Sequence, residues 1–317
     1  MIDMVHKDIF VYSGSANPEL SKAIAHYLGT SLAGVDINRF PDGEIFVQYH
    51  DNIRRADVYL IQPTSPPANE HLMELLIMID AAKRASAARV TAVMPFFGYA
   101  RQDRKDKPRV PITAKLVANL LTVAGANRIL AMDLHSQQIQ GFFDIPVDHL
   151  YAAPVMIPYL KEKVGNSAVV VAPDSGSVKL AHAYSDMLNA GLAVVAKRRV
   201  NAHEVESSHL VGDVKGRICV VTDDLTTTAG TLVGAAELLL REGAKEVYAV
   251  VSHCLLSEKG KEKIMKGSIK ELITTNGIPI QDDCNGRIKV LNVAPLLGEA
   301  IKRIHGGESV SSLFRIK

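Results

Sequence analysis

The chain has no tryptophan, only three cysteines among 317 residues, and a net charge of +2. Cys219, Cys254 and Cys284 lie far apart in sequence and match neither a zinc-binding nor a redox spacing, which suits a reducing, cytoplasmic setting. The near balance of 36 basic and 34 acidic residues gives no electrostatic case for nucleic-acid binding. No apolar run reaches the length of a membrane span. The start, Met1 to Phe10, carries Asp3 and Asp8 and lacks the apolar core of a secretory signal. Neither G-x-G-x-x-G nor G-x-x-x-x-G-K-[ST] occurs, which removes a dinucleotide fold of that type and a Walker-type ATPase. What remains has ordinary globular composition, 47% hydrophobic and 22% charged, and its expected partner is a small molecule rather than nucleic acid or membrane.

Short β-branched runs recur at Ile9–Tyr12, Val58–Ile61, Val90–Met94, Ile129–Met132, Ala168–Ala172, Leu192–Ala196, Ile218–Val221 and Val247–Val251. Helix-period segments lie between several of them. Leu72, Leu75, Leu76 and Ile79 mark one apolar face, Leu116, Leu120 and Leu121 a second, and Leu232, Ala236 and Leu239 a third. The alternation predicts an α/β fold with largely parallel sheets. Leu120–His135 aligns without gaps on Leu238–His253, sharing two leucines, a Gly-Ala pair, an alanine and the final histidine. Two similar domains are therefore expected, residues 1–150 and 151–317, joined in the proline-punctuated stretch Asp148–Pro158.

The densest chemistry lies in Val220–Thr231, V-V-T-D-D-L-T-T-T-A-G-T, between a buried strand and an amphipathic helix. Thr226, Thr227, Thr228, Gly230 and Thr231 bring hydroxyls and unhindered backbone to a helix start, where unpaired N–H groups and the helix dipole favour a phosphate. Asp223 and Asp224 repel an anion and call for hydroxyl donors or a divalent cation. Both needs are met by a sugar phosphate. The plain alternative is a strand-to-helix turn with threonine caps, which leaves the adjacent acids unexplained.

Five further stretches stand out. Val169–Lys179, V-V-V-A-P-D-S-G-S-V-K, runs from a strand into a turn at Asp174, and Met132–Gln140 sets His135 at a strand end. By itself His135 reads as a structural histidine, since magnesium prefers oxygen. Lys197, Arg198 and Arg199 follow the strand Leu192–Ala196, either as a solvated surface or as a lid closing on phosphates. Tyr99–Arg109 is a charge-dense loop, and Arg39–Glu44, R-F-P-D-G-E, is a β-turn.

In combination these motifs resemble the ribose-phosphate pyrophosphokinase family. The similarity spans essentially the whole chain and includes Glu70–Leu76, Arg89–Met94, Tyr99–Asp103, Pro111–Asn119, Met132–His135, Gln138–Val147 and Gly307–Phe314. The resemblance implies two phosphoribosyltransferase-type domains, each a mainly parallel sheet flanked by helices. It also implies transfer of the diphosphoryl group of ATP to the 1-hydroxyl of ribose 5-phosphate, giving 5-phosphoribosyl 1-diphosphate and AMP for nucleotide biosynthesis.

Under that resemblance, Asp223, Asp224 and the loop Thr227, Thr228, Ala229, Gly230, Thr231 hold ribose 5-phosphate, with Arg199. Lys197 and Arg199 are catalytic. His135 and Asp174 bind Mg2+. Phe40, Asp42, Gly43 and Glu44, supplied by a neighbouring subunit of a homo-oligomer (a hexamer in the family), join Arg101 and Gln102 in the ATP site. Arg109, Gln140, Ser309 and Ser311 fall on the motifs of a regulatory phosphate/ADP site. The chain departs from the family at Thr227, where aspartate is usual, and at Leu180, where a basic residue is common. A phosphoribosyltransferase and a non-catalytic regulatory homologue are the competing readings.

Overall fold

The computed structural model describes residues 8–198 and 207–314, and they form two compact units that part between Tyr151 and Ala152. All eight strands expected from the sequence are present. The first unit contains β1 (Ile9–Ser13), α1 (Pro18–Tyr27), β2 (Val35–Arg39), β3 (Ile45–Tyr49), β4 (Asp57–Ile61), α2 (Ala68–Arg84), β5 (Arg89–Met94), α3 (Thr113–Ala124), β6 (Arg128–Met132) and β7 (Val147–Leu150). Its sheet runs β1-β4-β5-β6-β7, all parallel. β4 is buried along its whole length, as a parallel strand covered on both faces must be, which is why Val58–Ile61 after Asp57 reads as an apolar run. β2 and β3 form a separate antiparallel hairpin whose residues alternate between half-buried and exposed.

The second unit contains α4 (Ala153–Val164), β8 (Val169–Ala172), α5 (Val178–Leu188), β9 (Gly191–Arg198), β10 (Ser207–Val211), β11 (Ile218–Thr226), α6 (Gly230–Arg241), β12 (Glu246–Cys254), α7 (Glu258–Lys266), β13 (Glu271–Thr275) and β14 (Ile288–Leu291). Its sheet is ordered β10-β9-β8-β11-β12-β13-β14 and only β10 runs antiparallel. The walk leaves β8 toward β9, then reverses to continue through β11 on the other side. That reversal is a topological switch point, and the first unit, whose order never reverses, has none.

Three sequence expectations need correction. The two units do share a strand plan, β1-β4-β5-β6-β7 against β8-β11-β12-β13-β14, but the aligned segments are not equivalent in it. Leu120–His135 leads into β6, the fourth strand of its plan, whereas Leu238–His253 leads into β12, the third. A helix, a glycine cap and a strand recur in every βα step, so the match caught the step and missed the register. Nor are the units two consecutive halves. Gly277–Pro279 and Val293–Phe314, with helix α8 (Ala294–Gly306), belong to the first unit. Finally, only Leu121 of the expected α3 face is buried, with Ala114, Val117 and Ala118, while Leu116, Leu120 and Val123 are 54%, 40% and 79% exposed. Their i, i+4, i+7 spacing makes a second apolar stripe that the described residues leave uncovered.

The tail's return is fastened by a buried carboxylate. Asp57, on β4 and 1% exposed, accepts hydrogen bonds from Arg89 Nε at 2.7 Å and from Tyr59 Oη at 3.0 Å, and lies 2.8 Å from His305 Nδ1 on α8. Arg89 Nη2 also reaches Asp57, and it donates to the Ile304 carbonyl at 3.0 Å. Burial alone would push the Asp57 carboxyl up. The hydrogen bonds from Arg89 and His305, the Arg89 charge and Tyr59 together more than offset this and hold it below the usual carboxylate range. No helix among the described residues is long and apolar enough to cross a membrane.

Candidate functional site

At the switch point β11 outruns its neighbour. The last β8–β11 pair is Val221 with Val171, whereas β11 continues beside β12 as far as Thr226. Asp223 and Asp224 therefore lie within the strand, past the end of β8, at the crevice where open α/β sheets bind ligands. The turn that follows β8 folds over this gap. Asp174 Oδ1 accepts from the backbone N–H of Gly176 at 2.9 Å and of Ser177 at 3.1 Å, which sets the turn and the start of α5. Ser177 Oγ then stands 3.2 Å from Asp174 Oδ1 and 3.0 Å from Asp223 Oδ1.

One hydroxyl carries one proton and can donate to only one of these carboxylates at a time. Burial, then the charge and side-chain hydrogen bond of Asp224 and the charge of Asp174, push the Asp223 carboxyl up to about 7, against the opposing pull of Ser177. Asp223 Oδ1 also accepts from the Asp224 N–H at 3.0 Å, so the donors present fall on one oxygen of each half-buried acid. Among the described residues Asp174 Oδ2 has no hydrogen-bond partner. A crevice of this kind favours sugar hydroxyls or a hard divalent cation.

Beside the acids the chain turns into α6. Ala229 takes the N-cap position in the left-handed region, φ 55°, and no side chain caps the helix. Threonine capping, the plain reading of the T-T-T run, is therefore not how these hydroxyls are used. The first-turn N–H groups of α6 remain available to an anion, and the left-handed Ala229 costs on the order of 1 kcal/mol that a structural turn would spare with glycine. The loop is braced from behind, since Leu255 N donates to Thr226 O and Ser257 N to Thr227 O, both at 2.9 Å.

Lys197 and Arg198 are not on a free loop, as the sequence suggests, but end strand β9, where Lys197 is registered opposite Ser208 of β10. Arg199 lies outside the described residues. In the first unit, Phe40, Asp42, Gly43 and Glu44 form the tip of the β2–β3 hairpin. The Phe40 carbonyl accepts from Gly43 N at 2.8 Å across Pro41 and Asp42, Asp42 Oδ1 accepts from Glu44 N at 3.1 Å, and Gly43 takes φ 93° at the turn exit. Phe40 is half exposed and packs edge-on against Phe46, with ring centroids 5.8 Å apart.

Arg101 and Gln102 follow β5 on an exposed loop, where Gln102 N donates to Tyr99 O at 2.9 Å and Thr113 Oγ1 donates to Gln102 Oε1. Arg109 is exposed in the left-handed region, φ 66°. Gln140 Nε2 donates to Gln137 O at 3.2 Å and lies 3.3 Å from His149 Nδ1. Ser309 and Ser311 follow α8, joined by Ser311 N donating to Ser309 Oγ at 3.3 Å, while Ser309 O accepts from Arg303 at 3.2 Å. His135, exposed just beyond β6, belongs to the first unit and Asp174 to the second.

Among the described residues no group of three or more His, Cys, Asp or Glu side chains forms a metal cage. Magnesium does not require one, since it is usually held by one or two carboxylates together with substrate phosphates and water. Asp174, whose Oδ2 has no hydrogen-bond partner among the described residues, fits that pattern. Sequence reasoning passed over Ser177, although its motif was in view. Only the fold shows that its hydroxyl meets an acid 46 positions away.

A switch-point crevice with acids and an uncapped helix start, on a sheet of this order, defines the phosphoribosyltransferase type of α/β protein. The N-terminal domain model of ribose phosphate pyrophosphokinase matches residues 9–125, and the phosphoribosyl synthetase-associated domain matches residues 198–315. The chain is 52% identical over 307 residues to a ribose-phosphate pyrophosphokinase of Gloeobacter violaceus, covering 96% of this chain and 92% of the relative. It is 51% identical over 310 residues to the Chlorobaculum tepidum protein of the same name, covering 98% and 96%. The crystal structure of phosphoribosylpyrophosphate synthetase from Mycobacterium smegmatis superposes with a TM-score of 0.90 at 42% identity, over 95% of this chain and all of that one. The chain belongs to the ribose-phosphate pyrophosphokinase family.

Proposed function

We propose that this protein transfers the β,γ-diphosphoryl group of ATP to the 1-hydroxyl of ribose 5-phosphate. The sugar's O1 attacks the β-phosphorus, the bond from that phosphorus to the α-phosphate oxygen breaks, and AMP leaves as the hydroxyl proton is lost. The observation that carries the reading is the Ser177 bridge between Asp174 and Asp223 beside the uncapped start of α6. Asp223 and Asp224 accept hydrogen bonds from ribose hydroxyls. Thr227, Thr228, Ala229, Gly230 and Thr231 cradle the 5-phosphate. Threonine at 227 in place of the family's aspartate adds a donor and removes a negative charge from that cradle.

Lys197 and Arg199 stabilise the charge of the migrating diphosphate, with Arg199 also on the sugar phosphate. Such transfers depend on positioning and electrostatic stabilisation more than on covalent chemistry. Mg2+ held by Asp174 and His135 would neutralise phosphoryl oxygens. ATP sits against Arg101 and Gln102 with Phe40, Asp42, Gly43 and Glu44 of a neighbouring subunit. A cytoplasmic homo-oligomer, hexameric as the family resemblance implies, is consistent with the uncovered stripe Leu116, Leu120 and Val123 on α3. Arg109, Gln140, Ser309 and Ser311 form the regulatory phosphate/ADP site.

The direct test supplies purified protein with ATP, ribose 5-phosphate and magnesium. Equimolar AMP and 5-phosphoribosyl 1-diphosphate are expected. A protein that instead consumes the diphosphate with a nucleobase is a transferase, and one that releases no AMP is not the enzyme proposed.

The raised Asp223 carboxyl adds a pH signature. Because its proton is held more tightly in the folded chain than in the unfolded one, ionising it destabilises the fold as pH rises from the ordinary carboxyl range to about 7. Sugar binding needs the ionised form. The rate at low ribose 5-phosphate should therefore rise through pH 7, and Asp223→Asn should lose that limb, bind the sugar poorly, and resist urea better than wild type at pH 8. A pH profile unchanged in the variant, with its denaturation midpoint at or below that of wild type, excludes this role for Asp223.

A further inference from the structure

The loop that turns into α6 carries no cation of its own, since no Lys or Arg occurs between Arg217 and Arg241. A phosphate monoester brings a charge of about −1.5 to −2 at neutral pH. The helix end offsets roughly half a unit. Asp223 and Asp224 add to the negative side. The loop itself is thus short of positive charge for the ligand assigned to it, and cations of other elements, Arg199 among them in the reading above, would supply the balance.

Helix α7 is the element that lies against it. A Cβ on Gly260 would meet the Thr227 carbonyl oxygen at 2.8 Å and Leu256 Cδ2 at 2.9 Å, so α7 approaches the loop backbone more closely than any other residue there allows. One turn on, Lys263 reaches the helix start. A Cβ on Gly230 would stand 3.4 Å from Lys263 Nζ and 3.6 Å from Thr228 Oγ1. The other cations of this helix include Lys261, 2.8 Å from Glu258, and Lys266, 3.9 Å from Glu262. Lys263 forms no ion pair among the described residues. It also keeps Lys259 as an i, i+4 neighbour, a like-charge pair that costs a few tenths of a kcal/mol without a compensating anion.

We propose that Lys263 is a further cation of the 5-phosphate subsite beside Arg199, a binding residue contributed by α7 across the loop Thr227–Thr231. The inference rests on the ribose 5-phosphate reading of that loop and adds to it a residue that helps balance the charge. As a point charge on a flexible stem, the ammonium can follow the phosphate while the backbone N–H groups fix its orientation. It acts on a part of the substrate remote from the reacting oxygen, so its contribution appears mainly in sugar affinity.

The test compares wild type, Lys263→Met, Lys263→Arg and Lys266→Met, the last a control for loss of any α7 cation. Calorimetric titration with ribose 5-phosphate and steady-state kinetics are run on the full chain. Lys263→Met is expected to weaken ribose 5-phosphate binding and raise its KM about tenfold. Its kcat should change much less and its KM for ATP should stay the same. Lys263→Arg should recover most of the affinity, and Lys266→Met should match wild type. If Lys263→Met binds the sugar phosphate as tightly as Lys266→Met, the assignment of Lys263 is overturned while the site reading stands. If wild type itself neither binds ribose 5-phosphate nor releases AMP, the site reading fails and the lysine goes with it.

Discussion

Lys197→Ala is expected to lower the rate of AMP release by at least about 10³-fold, on the scale of losing a catalytic cation in phosphoryl transfer, with little change in ATP affinity or thermal midpoint. The migrating diphosphate spreads charge over its oxygens in the transition state, and a positioned ammonium stabilises that charge without reorganising. The placement of Lys197 follows from strand geometry. β8 and β9 pair in parallel as far as Ala172 with Val194, and β9 continues three residues further to Lys197. At about 3.3 Å per residue the backbone at Lys197 is carried roughly 10 Å past the last pair. It stands past the last β8 pair, at the same edge of the sheet as Asp174 and Asp223. Single-turnover measurement of AMP formation, with nucleotide affinity measured separately, is the check. A variant that forms AMP at a near-normal rate removes Lys197 from the catalytic machinery.

The second large effect concerns stability. Asp57→Asn is expected to destabilise the protein by up to about 3–5 kcal/mol near neutral pH, because it leaves the partly buried Arg89 beside a partner that no longer carries charge. Arg89 is 29% exposed at its side chain and Asp57 1%, so solvent screens the pair only in part. The sign with pH is definite. Asp57 has its carboxyl depressed in the folded chain, so its contribution is complete above the unfolded carboxyl range, about pH 4, and disappears as pH falls through the lowered folded value. Urea midpoints of wild type and variant should lie far apart at pH 7 and converge on acidification. The helix most directly released is α8, whose His305 and Ile304 contact the cluster, so amide exchange should rise there first. Equal midpoints at pH 7 would mean the cluster contributes nothing net.

Much of the fold was legible because buried parallel strands advertise themselves. β4, β5, β8 and β12 are near-continuous apolar runs, since both faces are covered and a polar side chain there, such as Asp57 or Thr91, is the exception. Of the six strands that went unread, four are of a different kind. β2 and β3 alternate between half-buried and exposed, β7 carries Asp148 and His149, and β14 carries Lys289, so their pairing rather than their hydrophobicity makes them strands. The α3 surface was misread for a related reason. Apolar residues occupy two stripes of that helix, and periodicity alone does not say which one a single chain buries.

The linear order of residues by itself determined which chemistry is available: adjacent acids, a hydroxyl-and-glycine turn, a cation triplet and the family to which the chain belongs. Those are local facts, set by residues within a few positions of one another. The tertiary structure alone decided which of them meet. Reversal of the strand walk between β8 and β11 is what lets one serine hydroxyl touch two acids, Asp174 and Asp223, 49 positions apart. The packing of α7 on the loop is what brings Lys263 to a helix start 33 residues before it. Contacts of that kind depend on sheet order and close backbone approach, to which periodicity and spacing along a chain are blind.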